Sequence, residues 1–292
     1  MPALQNIPIG IQAAVLCVCL LGMTGLLVDV LMLIFSMVRP PDWQRISLGI
    51  LSRPWTERHA VFVAAVPAGT CLLGNAAAIV AVQFGLLSDT KLPAHIVALA
   101  TFLFFHLPAF LAILLLSFRL RVSSELGFGV SRRLLPRHAA YGIVFGMAAL
   151  PVVWTALALC DALLNLTGVP VDLQPIVRVI AEAETYPVWM QLALAALAIG
   201  FAPVAEELLF RGIVLPAVAK SIGFVRAMLL VSLLFALLHL HLPSLLPLFL
   251  LSVLFSVAYA YSGSILVPIV MHATFNFVSV TILWLVRQQL PV

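Results

Sequence analysis

Apolar residues recur along this chain in unbroken runs about as long as a bilayer crossing, and nothing else in the sequence limits the fold so strongly. A helix needs about 20 mostly apolar residues to traverse the hydrocarbon. Within it, only helices and closed barrels satisfy their own backbone polar groups. Barrel strands alternate lipid-facing and lumen-facing residues, and these runs do not alternate. Of 292 residues, 64% are hydrophobic and only 9% are charged, with mean hydropathy +1.19; soluble domains carry about 25% charged residues. The expected fold class is therefore all-α, a polytopic transmembrane helical bundle of about eight spans. They are expected near 9–38, 60–86, 94–118, 139–166, 188–203, 227–241, 244–262 and 264–286. Segment 204–226 is expected as a separate, partly re-entrant helix. The connections are too short for a separate soluble domain, so the chain reads as one integral bundle. Within it, residues 1–187 supply N-terminal helices and loops, and 188–292 form a core that carries the motifs below.

Charge placement sets an expected orientation. The net charge of +4 is not a nucleic-acid signature, because the arginines lie in loops between apolar spans. Loop 39–59 holds Arg39, Arg45, Arg53 and Arg58; loop 119–138 holds Arg119, Arg121, Arg132, Arg133 and Arg137. Such loops stay cytoplasmic. Loop 87–93 offers only Lys91, and loop 167–187 sets Arg178 against Asp172, Glu182 and Glu184, so both are expected outside. The stretch 167–187 reads equally as a short interfacial helix or as a plain connection. Cys17, Cys19, Cys71 and Cys160 all fall within apolar runs and read as small buried hydrophobes. No Lys or Arg precedes Arg39, so the charged start of a cleavable signal peptide is missing and the first span is expected to remain.

Acids at membrane depth are functional candidates, because a charge there costs several kcal/mol. Asp29 and Asp161 each stand alone and read as structural, hydrogen-bonded to a neighbouring helix or reaching an interface. Glu206 and Glu207 lie in "EELLFR". Glu207 and Arg211 are spaced i, i+4, which brings their side chains together on one helix face. Glu206 points about 100° away, without Arg211 and free to face a cavity. Two histidine motifs follow. His239 ends "FALLH", with Phe235 one turn before it, and His272 opens "HATFN", with Asn276 one turn after. The inferred orientation puts His239 toward the far end of its span unless that span is short. His241 reads as a rim residue and His106, which has no motif, as structural.

The order EExxxR, FxxxH, HxxxN on successive membrane helices resembles the CPBP family of intramembrane proteases, the type II CAAX prenyl endopeptidases and bacteriocin-processing, Abi-like relatives. The likeness covers about 188–286. It implies an intramembrane endopeptidase in which Glu206 activates water with help from His239, His272 and Asn276 donate to the oxyanion, and Arg211 with Glu207 supports the helix. It also implies a peptide or membrane-protein substrate, prenylated or leader-bearing. Lys220 and Arg226, read with the loop arginines, put the expected active site toward the cytoplasmic side of the plasma (inner) membrane, and no nucleic acid is expected as a partner. A zinc is the open alternative, since Glu206, His239 and His272 form the two-histidine, one-glutamate set of a catalytic site. There is no HExxH helix, and the favoured reading has no metal and no other cofactor. A transporter or scaffold using the same ionisable cluster is the competing function; against a transporter, no internal repeat is present.

Overall fold

The computed structural model describes residues 9–85, 93–168, 175–181 and 186–287. Among them every regular element is helical. Eight helices build the bundle: α1 Gly10–Val38, α2 Glu57–Gln83, α3 His95–Arg119, α4 Arg132–Thr167, α5 Val188–Ile222, α6 Phe224–Leu237, α7 Leu242–Ser262 and α8 Leu266–Val286. All but α6 are long and apolar enough to cross a membrane, and the protein is an integral membrane protein. The expectation of about eight spans agrees with this. Short helices at Trp43–Leu51, Ser124–Phe128 and Pro175–Ala181 lie in the connections; the last falls in the stretch read as interfacial helix or loop. Lys91, Asp172, Glu182 and Glu184 lie outside the described residues.

One expected boundary is corrected. Residues 188–203 and 204–226 do not form two elements, because α5 runs unbroken from Val188 to Ile222. It does so by changing register. Leu197–Phe201 and Leu208–Val214 are π-helical, as is Phe102–His106 in α3. Each of these three stretches is followed two residues later by a proline, Pro203, Pro216 and Pro108 respectively. Proline has no N–H and its ring crowds the carbonyl four residues back; a widened turn relieves the clash without ending the helix. The freed carbonyls find partners on neighbouring helices, as membrane helices require. Phe104 O accepts from Thr70 Oγ1 and Cys71 Sγ of α2, and Ala198 O accepts from Asn276 Nδ2 of α8 at 2.8 Å.

The short α6 settles where His239 lies. Fourteen residues rise only about 21 Å, less than the roughly 30 Å of hydrocarbon. From the Ile222–Phe224 junction, His239 is about 22 Å along α6, and Glu206 about 24 Å back along α5. The turn after α6 therefore returns the chain at the depth of the glutamates. Leu240 closes it in the left-handed region at φ 49°, a conformation a leucine adopts only at a cost.

Close backbone approach fixes α8. A Cβ on Gly142 of α4 would meet Val270 Cβ at 2.5 Å and Val267 O at 2.8 Å, and one on Gly146 would meet Thr274 Cβ at 2.9 Å. Small residues four apart give this contact between membrane helices, and they fix how α8 is rotated against α4. At the arginine-rich end, the loops are tied to α5. The fully buried Trp55 donates Nε1–H to Gly127 O at 2.9 Å. Arg53 Nη1 reaches Glu125 O and Leu126 O at 3.1 Å, and Lys220 Nζ reaches Trp55 O at 2.7 Å.

Candidate active site in the helical bundle

Glu207 and Arg211 pair as the spacing predicts, and both are 0% exposed. Arg211 Nη1 donates to Glu207 Oε1 at 3.1 Å. Its Nη2 donates to Ser252 O of α7 at 3.0 Å and to Ser252 Oγ. The guanidinium lies 4.8 Å from the Phe235 ring centre and 5.2 Å from that of Phe255. A cation without water is thus met by one carboxylate, two oxygens of α7 and two aromatic faces, which together offset its desolvation. Glu207 does more than the spacing implied. The same Oε1 lies 2.9 Å from His272 Nδ1, so this acid also orients the α8 histidine.

Glu206 faces elsewhere, as the helical period predicts, but it is not without a partner. Its Oε1 lies 2.8 Å from His106 Nε2 of α3. His106, expected to be structural, is therefore part of the cluster. It carried no motif, and only its place in a span with a proline two residues on set it apart in the sequence. Glu206 Oε2 is buried and has no hydrogen-bond partner among the described residues. Both glutamates are buried near the middle of α5.

The other expected residues gather around this pair. His239 lies on the turn after α6, its Nδ1 2.8 Å from Phe235 O, and its ring lies 4.8 Å from the Phe235 ring, which also packs 6.2 Å from the His272 ring. His272 stacks on Phe255 at 4.9 Å. Asn276 gives one amide N–H to Ala198 O and has a second. His241 Nδ1 lies 2.7 Å from Ser244 Oγ. Asp29 is half-buried on α1 and makes no hydrogen bond or ion pair among the described residues, so a bond to a neighbouring helix is not found. Asp161 is exposed near the end of α4. All four cysteines are free. None of them is fully buried, and Cys19 is exposed, which corrects the reading of them as buried hydrophobes.

Among the described residues no three His, Cys, Asp or Glu side chains gather closely enough to ligate one ion. Glu206, His239 and His272, the ligand set expected for such an ion, are instead directed by His106, Phe235 O and Glu207.

Residues 188–278 match the family model described as type II CAAX prenyl endopeptidase Rce1-like. This segment is an Rce1-like domain. It contains all three motifs, at 206–211, 235–239 and 272–276, and agrees with the CPBP resemblance. No curated protein and no solved structure matches the chain. The match supports a CAAX-type protease, a hydrolase acting on a peptide or protein in a membrane setting. His106 lies outside the Rce1-like segment.

Proposed function

We propose that this protein is a metal-free intramembrane endopeptidase in which Glu206 is the general base. The observation that carries this reading is Glu206 Oε2, a buried carboxylate oxygen left unpartnered at the depth of His239. A buried polar atom of that kind requires an explanation, and a water molecule is the simplest one. Oε2 takes a proton from that water as its oxygen adds to the scissile carbonyl carbon, with His239 Nε2 orienting the water. The oxyanion is met by His272 Nε2–H and the second amide N–H of Asn276. With Nδ1–H directed at Glu207, His272 donates from Nε2 as an imidazolium, and Glu207 accepts from it as well as from Arg211. Collapse of the adduct breaks the C–N bond, and the proton on Glu206 passes to the leaving nitrogen. Arg211 keeps Glu207 ionised and in place.

The substrate of this reading is a peptide that ends in a prenylated CAAX box or carries a leader, reached from lipid or cytoplasm in the plasma (inner) membrane. The arginine-rich loops support an active site toward the cytoplasmic side. The test is proteomics of membrane fractions from cells making wild-type or Glu206→Gln protein. Cleaved C-terminal peptides or leaders that appear only with wild type are expected. Identical peptide profiles, together with a Glu206-dependent ion or proton flux in proteoliposomes, would replace the protease with a transporter.

A further inference from the structure

We infer that His106 is a positioning residue for Glu206, holding Oε1 so that Oε2 becomes the one carboxylate oxygen presented to water; the inference rests on Glu206 being the base. A glutamate's terminal torsion is broad and nearly two-fold, so an unanchored carboxylate swings and exchanges its oxygens. One firm hydrogen bond stops that motion. His106 Nε2 supplies it at 2.8 Å, with the two side chains only 13% and 11% exposed. An ionised carboxylate only accepts, so Nε2 carries the proton in this bond. The division of labour is complete within the carboxylate: Oε1 is taken by His106, and Oε2 is buried without a partner among the described residues.

The surrounding packing shows why the contact is rigid. His106 is the last residue of the π turn in α3, and Glu206 follows the first π turn of α5. The two widened turns are clamped together by Phe201, which meets Phe102 edge-on at 5.1 Å and Phe110 at 5.2 Å. Phe105 stands at right angles to the His106 ring at 5.3 Å. An ordinary α register in α3 would rotate residues beyond the π turn by about 100° relative to those before it, and the aromatic clamp and the His106 ring would no longer face α5 together. Thus α3, outside the Rce1-like segment, supplies a side chain without which the base is unaimed. While Glu206 carries the proton taken from water on Oε2, Oε1 still accepts from His106, so the geometry persists until that proton reaches the leaving nitrogen.

The test uses the full chain in nanodiscs and an internally quenched peptide ending in a farnesylated CAAX box. His106→Ala is expected to lower kcat about 10²-fold, as for loss of a well-aimed acid–base group, with KM within about 2-fold. His106→Gln keeps an N–H donor and is expected to recover at least about 10-fold of that loss. Added to Glu206→Gln, His106→Ala is expected to change nothing further, because residues that act as a unit are not additive. The contact itself is read without activity: the infrared carboxylate band assigned to Glu206 by subtraction of Glu206→Gln should shift in His106→Phe. An unmoved band overturns the inference. So does a His106→Ala enzyme with wild-type kcat per folded molecule, where Glu206→Gln is inactive. Cleavage that survives Glu206→Gln would instead overturn the assignment of the base.

Discussion

His272 Nδ1 and Glu207 Oε1 lie 2.9 Å apart, on the oxygen that Arg211 Nη1 also meets at 3.1 Å. One buried carboxylate oxygen therefore couples an ion pair within α5 to the ring orientation of a histidine on α8. Adjacent acids of the same motif thereby take different partners: Glu207 Oε1 holds Arg211 and His272, Glu206 Oε1 meets His106, and each Oε2 is buried without a partner among the described residues.

Removing the Glu207 charge should damage the fold before the chemistry. Glu207→Gln leaves Arg211 buried without its counter-charge, and breaking one partner of a buried pair costs about 3–5 kcal/mol. The expected outcome is a low folded yield and a lowered unfolding temperature in detergent. Wild-type accumulation and melting would show that Ser252 and the phenyl rings suffice for Arg211.

Glu206→Gln, His239→Ala and His272→Ala should behave in the opposite way. Each is expected to insert and accumulate normally, because none leaves a buried guanidinium without its carboxylate, and each is expected to lose turnover of the quenched peptide. Near wild-type turnover by Glu206→Gln would mean that the base is another group.

Chelation separates the two ways of stabilising an oxyanion. A catalytic zinc with an open position is strippable and restorable, whereas the proposed site depends on amide and imidazole donors. The purified enzyme is expected to hold substoichiometric zinc by mass spectrometry and to keep its activity in EDTA or phenanthroline. Asn276→Ala is expected to lose about 10²–10³ in turnover, as for removal of one oxyanion donor. Stoichiometric zinc, with activity lost on chelation and recovered on adding metal back, would make Glu206, His239 and His272 its ligands.

Orientation is testable without a substrate. In a background lacking the four native cysteines, Gln44→Cys and Ser124→Cys place thiols at exposed positions of the two arginine-rich loops. An impermeant maleimide should label neither in intact cells and both after permeabilisation. Labelling of Ser124→Cys from outside would invert the topology.

The chain's own order of residues was enough for every relationship that is local or that depends on bulk solvation. Long apolar runs with so little charge must cross lipid as helices, since unpaired backbone groups are too costly there. Glu207 and Arg211 had to meet because four residues on a helix bring side chains to one face. What lay beyond the sequence is non-local. The widened registers of α3 and α5 follow prolines acting with partners on α2 and α8: Thr70 and Cys71 for α3, Asn276 for α5, whose positions no window of sequence contains. His106 meets Glu206 across 100 residues, and His272 turns to Glu207 across 65. Those contacts depend on how α3, α5 and α8 pack, and packing between helices in lipid is decided by close fit at residues such as Gly142 and Gly146, not by the hydrophobicity that makes the helices legible.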